Sequence, residues 1–394
     1  MTVAATTLAE VFGPGVVYLR RVSPSHHSWG HPGPGQADAN TGLQLAVAGG
    51  IPYIVCSALV TPEALSIHAE AGLGLEAELI RYRSIPEYFA ALSRVTGDGR
   101  RLACQIVHPD EEIPPAATLV SPVLLRSLND KGKMVEVARP EWLPERRTML
   151  VSELPAGRSL VAPGRPVVLK VSTPMPSGGG YGVWIARTPE EVEVVRTTLG
   201  GDARVVVEEH LSLIRTICVH AVVCPDGSSA VLGFAEEVCN NGHWVGNWLD
   251  GAGDEVPEVV PQMVAEVVAL ASAKGYRGPV GVDVALCEDG RVLVLDLNFR
   301  VCGSTAAAWL RRWVEETRGA STIRVAAWTG SDGFGAMCRV VREAMGRGTL
   351  IPLSLYDPEG ADIGGVPRMT GLVVGGSRGE VEEEMCRLAA AGLA

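Results

Sequence analysis

The chain has 394 residues, 47% of them hydrophobic and 20% charged, which is enough to bury the cores of two or three domains and too apolar for a disordered chain. Its net charge of -11 argues against a nucleic-acid partner, because phosphate backbones are repelled except at a local basic patch. Nine dispersed cysteines make no Cys-x-x-Cys and no His/Cys cluster, so the expectation is reduced thiols in a cytoplasmic protein rather than disulfides or zinc.

The first residues carry Glu10 and lack a basic start before an apolar core, so no secretory signal is expected. Residues 14–110 alternate strand and helix signals. Gly15 to Leu19, Ile51 to Cys56, Leu79 to Tyr82 and Leu102 to Val107 read as strands, and Thr61-Pro62-Glu63 and Ser84-Ile85-Pro86-Glu87 read as capped helix starts. Alternation of this kind predicts a parallel, layered α/β domain. Ser23 to Asn40, rich in Gly, Pro, His and Ser, reads as a loop. Asn40 to Pro62 carries no charge, but Gly49-Gly50-Ile51-Pro52 splits it, so it reads as a buried helix, turn and strand and not as a membrane span.

Pro166-Val-Val-Leu-Lys170 is a short apolar strand that ends in lysine and runs into Ser177-Gly178-Gly179-Gly180-Tyr-Gly182. A lysine supplies a compact point charge, and glycines let backbone N–H groups approach phosphate oxygens. Val205-Val-Val-Glu208-Glu209-His-Leu211 is a strand that ends in paired acids able to accept from an amino group or ribose hydroxyls. Asn240 to Trp248 reads as an aromatic-and-amide loop, either lining a substrate pocket or anchored at the surface.

The densest signal runs from Gly281 to Arg300. Asp289-Gly290 predicts a two-residue hairpin turn, which places Glu288 opposite Arg291, Asp283 opposite Asp296 and Gly281 opposite Asn298. Asp296, Asn298 and Arg300 then share one face. Facing carboxylates destabilise a sheet unless a cation joins them or one stays protonated. Two acids and an amide oxygen suit Mg2+, and Arg300 is placed to hold an anion bound to it. Beyond this, Ser331 to Gly335 reads as a turn, Ala336 to Gly346 as a helix, Gly371 to Gly375 as a strand and Glu380 to Leu393 as a closing helix.

Taken in order, Asn129-Asp130-Lys131, Val-Val-Leu-Lys170 with its glycine loop, Val-Val-Val-Glu208-Glu209, and Gly281-Val-Asp283 followed by Asp296-Leu-Asn298-Phe-Arg300 resemble the ATP-grasp superfamily over residues 125–310. The layout is most similar to the bacterial peptide ligases of the pheganomycin-forming type. The resemblance implies an α/β and α+β protein. An N-terminal Rossmann-like pre-ATP-grasp domain would span 1–124, an ATP-grasp domain 125–320 and a small C-terminal α+β domain 321–394.

It implies ATP and Mg2+ as cofactors. Lys131 (or Lys133) and Lys170 would contact phosphates under the loop of Ser177, Gly178, Gly179 and Gly180, and Glu208, Glu209 and Leu211 would lie at the nucleoside. Asp283, Asp296 and Asn298 would hold the metal, Arg300 and Lys170 would act in catalysis, and Gly303, Ser304 and His243 would lie at the substrate. The region after Glu209 reads Leu213-Ile-Arg215-Thr-Ile and lacks the second ribose-binding acid found in many members, so Glu209 takes that part or ribose is held differently.

The implied reaction joins a carboxylic acid to an amine in peptide natural-product biosynthesis. ATP is cleaved to ADP and phosphate through an acyl phosphate, with Glu236, Glu237 or His243 as base. A homodimer is a further expectation, with no nucleic acid or membrane partner. The alternatives are a phosphotransferase and a non-catalytic nucleotide-binding protein.

Overall fold

The computed structural model describes residues 6–25, 35–162, 164–173, 179–240, 242–251 and 255–394. The N-terminal sheet is parallel and contains β1 (Val16–Leu19), β2 (Tyr53–Cys56), β3 (Leu79–Tyr82) and β4 (Arg101–Cys104) in the order β3-β2-β1-β4. Its strands are the four read from the sequence. The expected caps are present: Thr61 Oγ accepts from the Ala64 N–H at 3.4 Å and Ser84 Oγ from the Glu87 N–H at 3.4 Å. The charge-free stretch after Asn40 folds as two short 3-10 turns, Asn40–Gly42 and Leu45–Val47, instead of one helix. A four-residue helix, Gln36–Ala39, sits where a loop was expected. Among the described residues no helix is long and apolar enough to cross a membrane.

A second sheet is antiparallel, with β5 (Arg146–Leu150), β8 (Arg204–Glu209), β6 (Val167–Ser172) and β7 (Val183–Ala186) in that spatial order. Helix Pro189–Leu199, capped by Thr188, packs Val192 and Val195 into its core. The third sheet has eight antiparallel strands. Their order is β13 (Val292–Asn298), β12 (Gly278–Cys287), β9 (Leu213–Val223), β10 (Ser229–Asn240), β11 (His243–Leu249), β14 (Thr322–Thr329), β16 (Arg368–Gly375) and β15 (Leu350–Tyr356). The strands of the C-terminal segment thus continue the central sheet, and helices Phe334–Gly346 and Arg378–Ala390 cover them.

Alternation decides which side of the central sheet becomes polar. Val280, Val282 and Val284 of β12 pack on helix Val259–Ala273. Gly281 and Asp283 therefore face the other way. The N-terminal domain is tied to that side by Gln105, whose Oε1 accepts from the Val301 N–H at 3.1 Å.

Candidate active site

The β12–β13 hairpin departs from its expected form in two places. Cys287 N–H bonds the Arg291 carbonyl at 3.0 Å, so the loop has three residues, Glu288 to Gly290, and Gly290 takes φ +83°. A bulge then restores the register: Val284 pairs with Val294, but Asp283 pairs with Asp296 and Gly281 with Asn298, leaving Leu295 unpaired. Given the three-residue loop, the bulge is what lets the two aspartates face each other. The bulge also turns the Leu295 carbonyl toward Lys170, whose ammonium donates to it at 2.9 Å.

Lys170 comes from the second sheet, so this contact marks the junction of the two sheets. Its ammonium also pairs with Glu208 at 2.6 Å, and both side chains are buried, 6% and 3% exposed. Arg146 pairs with the same carboxylate at 3.4 Å and donates to the Lys131 carbonyl. Lys131, 7% exposed, forms an ion pair with Asp296, while Lys133 is exposed. Of the two lysines, Lys131 is therefore the one at the junction. Asn129 accepts from Arg300 Nη1 at 2.8 Å and from the Phe299 N–H at 3.0 Å, and Asp130 accepts from Ser172 Oγ at 2.7 Å. These bonds lock the start of the grasp region to the signature strand.

Asn298 Nδ2 donates to Asp283 Oδ2 at 2.9 Å, and Asp283 Oδ1 is buried with no partner. Burial, then the facing Asp296, pushes the Asp283 carboxyl up to about 6. Burial would raise Asp296 too, but Lys131, Lys170 and Arg300 outweigh it and hold that carboxyl below its ordinary range. The facing acids are thus reconciled by both routes open to them, a neighbouring cation for one and a raised pKa for the other. The orphaned, buried oxygen of Asp283 fits a divalent cation. Among the described residues no three His, Cys, Asp or Glu side chains form a metal cage. Mg2+ ordinarily takes one or two protein carboxylates, with phosphates and water completing its shell. Asp283, Asp296 and Asn298 suit that arrangement.

The remaining expected residues divide into those near the junction and those apart from it. Leu211 joins Leu293, Leu295 and Ala285 in a small apolar cluster beside the Glu208 strand end. Glu209 points away from Glu208 and is held by Arg291 through two bonds of 2.7 and 3.0 Å, so it does not join the group. Ser177 and Gly178 lie outside the described residues. Gly179 and Gly180 lie against the β10–β11 turn. A Cβ on Gly180 would sit 2.1 Å from the Gly242 carbonyl, and the Trp244 N–H donates to the Gly179 carbonyl at 3.3 Å.

The stretch read as a loop over Asn240 to Trp248 is this strand pairing, with Glu237 opposite Asn247. His243 is exposed, its ring 5.0 Å from that of Tyr181. Ser304 is buried, its hydroxyl 2.9 Å from His220 Nε2. A Cβ on Gly303 would meet the Trp244 indole at 2.6 Å.

Of the three possible bases, Glu236 turns to the opposite face and binds Arg378 at 2.8 Å. Burial, then Asp283, pushes Glu237 well above the usual carboxylate range. Arg146 is the junction residue that sequence reasoning missed. Arg146 stands directly across from Glu208 in the β5–β8 ladder. Its only sequence signal is a basic pair before a short apolar strand.

The whole chain superposes on solved ATP-grasp structures at low identity. An N5-carboxyaminoimidazole ribonucleotide synthetase in complex with ADP matches with a TM-score of 0.61 at 14% identity, covering 99% of this chain and 98% of that one. The Staphylococcus aureus N5-carboxyaminoimidazole synthetase complexed with ADP matches at 0.59 with 9% identity, covering 98% of each chain. Biotin carboxylase from Campylobacter jejuni matches at 0.57 with 12% identity, covering 96% and 91%. These likenesses show the expected fold. Residues 7–126 match the L-aspartate--L-methionine ligase N-terminal domain, and residues 144–298 match the L-aspartate--L-methionine ligase ATP-grasp domain. The pheganomycin-type likeness thus gives way to another family of peptide-bond-forming enzymes. With two consecutive domain models of one family spanning more than half of its length, the chain belongs to the L-aspartate--L-methionine ligase family and is an ATP-grasp ligase that forms an amide bond.

Proposed function

We propose that this ligase couples L-aspartate to L-methionine through an acyl phosphate. A carboxylate of aspartate attacks the terminal phosphoryl group of ATP and ADP leaves. The methionine amine then attacks the acyl carbon, phosphate departs, and a proton is lost from the new amide nitrogen. The observation that carries the reading is the set of contacts that crosses the junction of two sheets: Arg146 with Glu208 and the Lys131 carbonyl, Glu208 with Lys170, Lys170 with the Leu295 carbonyl, Lys131 with Asp296, and Asn298 with Asp283, which faces Asp296.

Phosphoryl transfer asks mainly for positioned charge, and ion-paired lysines in a buried junction are already in place before the transition state forms. Lys131 and Lys170 are placed to meet phosphate oxygens, and Arg300, steadied by Asn129, to meet the transferred group. Glu208 and Arg146 hold Lys170 and the Lys131 backbone in position. Mg2+ on Asp283, Asp296 and Asn298 would neutralise developing charge on the phosphates. The cluster of Leu211, Leu293 and Leu295 offers an apolar surface to the nucleobase.

The test is product analysis with the purified protein. ADP release should require both amino acids, and hydroxylamine should trap an aspartyl hydroxamate when methionine is withheld. AMP and pyrophosphate as products would overturn the mechanism. ADP release with aspartate alone, yielding a stable phosphorylated product, would make the protein a phosphotransferase instead.

A further inference from the structure

The β10–β11 hairpin borders the junction but takes no part in the contacts placed there for the nucleotide. Its pairing contains a bulge: Val238 pairs with Gly246 and Cys239 with Trp244, leaving Val245 unpaired. In a regular strand residues 244 and 247 would point to opposite faces. The bulge brings Trp244 onto the face of Asn247 and Glu237, and the Trp244 Nε1–H donates to Asn247 Oδ1 at 2.8 Å. Since an indole N–H only donates, this bond fixes which end of the Asn247 amide is oxygen. Asn247 is fully buried, and its Nδ2 has no partner.

We propose that this hairpin forms the subsite for the amine substrate, with Trp244 as the wall that selects an apolar side chain and Glu237 as the partner of its amine group. The inference rests on the ligase reading and assigns it a second substrate position. Three observations converge on it. The indole packs directly on Gly303, where any side chain would collide with it, so Trp244 is set against the turn that follows Arg300. The Trp244 backbone bonds Gly179, so the wall is coupled to the glycine loop that covers the phosphates.

Glu237 lies on the same sheet face as Asp283, two strands away across β9, and no described residue forms a hydrogen bond or ion pair with it. A carboxyl at this end offers a hydrogen-bond acceptor to the donors of an amine. An indole wall suits a thioether better than a charged side chain. Asn247 is a positioning residue that holds the indole in place.

Steady-state kinetics on Trp244→Ala, Trp244→Phe and Glu237→Gln test the assignment. Trp244→Ala should raise KM for methionine roughly tenfold or more and admit bulkier apolar amines, because pockets that sense side-chain size discriminate on that scale. KM for ATP and aspartate should stay within about twofold, and Trp244→Phe should recover most of the methionine affinity. Glu237→Gln should raise KM for methionine with the Mg2+ dependence unchanged.

The proposal is overturned if the Trp244→Ala change falls on aspartate, or if Glu237→Gln shifts the Mg2+ dependence, which would make Glu237 a metal-side acid. Wild-type ligation of aspartate with methionine is measured first. Calorimetric binding of methionine to wild type and Trp244→Ala, with a non-hydrolysable ATP analogue present, reads the same subsite without turnover. Loss of ligation with intact, Trp244-dependent methionine binding would then count against the ligase reading and not against the subsite.

Discussion

Two of the buried charge clusters among the described residues are built on opposite plans. In the N-terminal domain Arg21 grips Asp38 at 2.7 and 3.1 Å, donates to the Val22 carbonyl at 2.8 Å, and leaves Asp38 to accept from the Tyr82 hydroxyl at 2.7 Å. No atom of that cluster is buried without a partner. At the sheet junction, Glu208 Oε1 and Asp283 Oδ1 are buried with no hydrogen bond. A closed cluster spends its valences on the fold. An open one keeps them for a ligand, at a cost in stability borne by the rest of the structure.

Breaking each cluster should therefore give opposite phenotypes. Asp296→Asn removes a charge from the open cluster. It should lower turnover about a thousandfold while the melting temperature stays close to wild type, because losing one electrostatic contact to a developing charge costs on that order. Near-normal turnover would discard the metal and phosphate assignment. Asp38→Ala strands Arg21 in the closed cluster and should cost roughly 3–5 kcal/mol of stability, read by urea unfolding. The folded fraction should keep its specific activity. A mutant that melts normally would show that the closed cluster is dispensable.

A smaller effect tests burial without pairing. His68 is fully buried, neither ring nitrogen has a partner, and burial lowers its pKa to about 4. The native pKa lies below the unfolded one, so the unfolded chain takes up the proton first as pH falls. Stability should drop between about pH 6.5 and 4, by roughly 3 kcal/mol, and level off below that. His68→Gln should flatten this slope; an unchanged slope would place its origin elsewhere.

Gly180→Ala should give the smallest change. With φ +85° and the Gly242 carbonyl in the path of a Cβ, it should cost about 1–3 kcal/mol locally and raise KM for ATP several-fold. An unaltered KM would show that the glycine loop does not need this close approach.

Much of the architecture follows from local rules that act along the chain. Apolar runs broken by Gly, Pro and capping residues mark the parallel sheet. Alternation puts Asp296 and Asn298 on one strand face, and the order of lysine, glycine loop and strand-end acids identifies the ATP-grasp layout. What the chain alone did not determine is how strands far apart in sequence meet. Arg146 reaches Glu208 only because β5 pairs with β8, and Glu209, read as a nucleoside contact, turns instead to Arg291 at the hairpin turn.

The bulges at Leu295 and Val245 are decided at the same level. One compensates a three-residue turn so that two aspartates still face each other and a carbonyl reaches Lys170; the other turns Trp244 inward. A bulge is a compromise between register, twist and the packing of both faces. Those forces exist only once the neighbouring strands are in place.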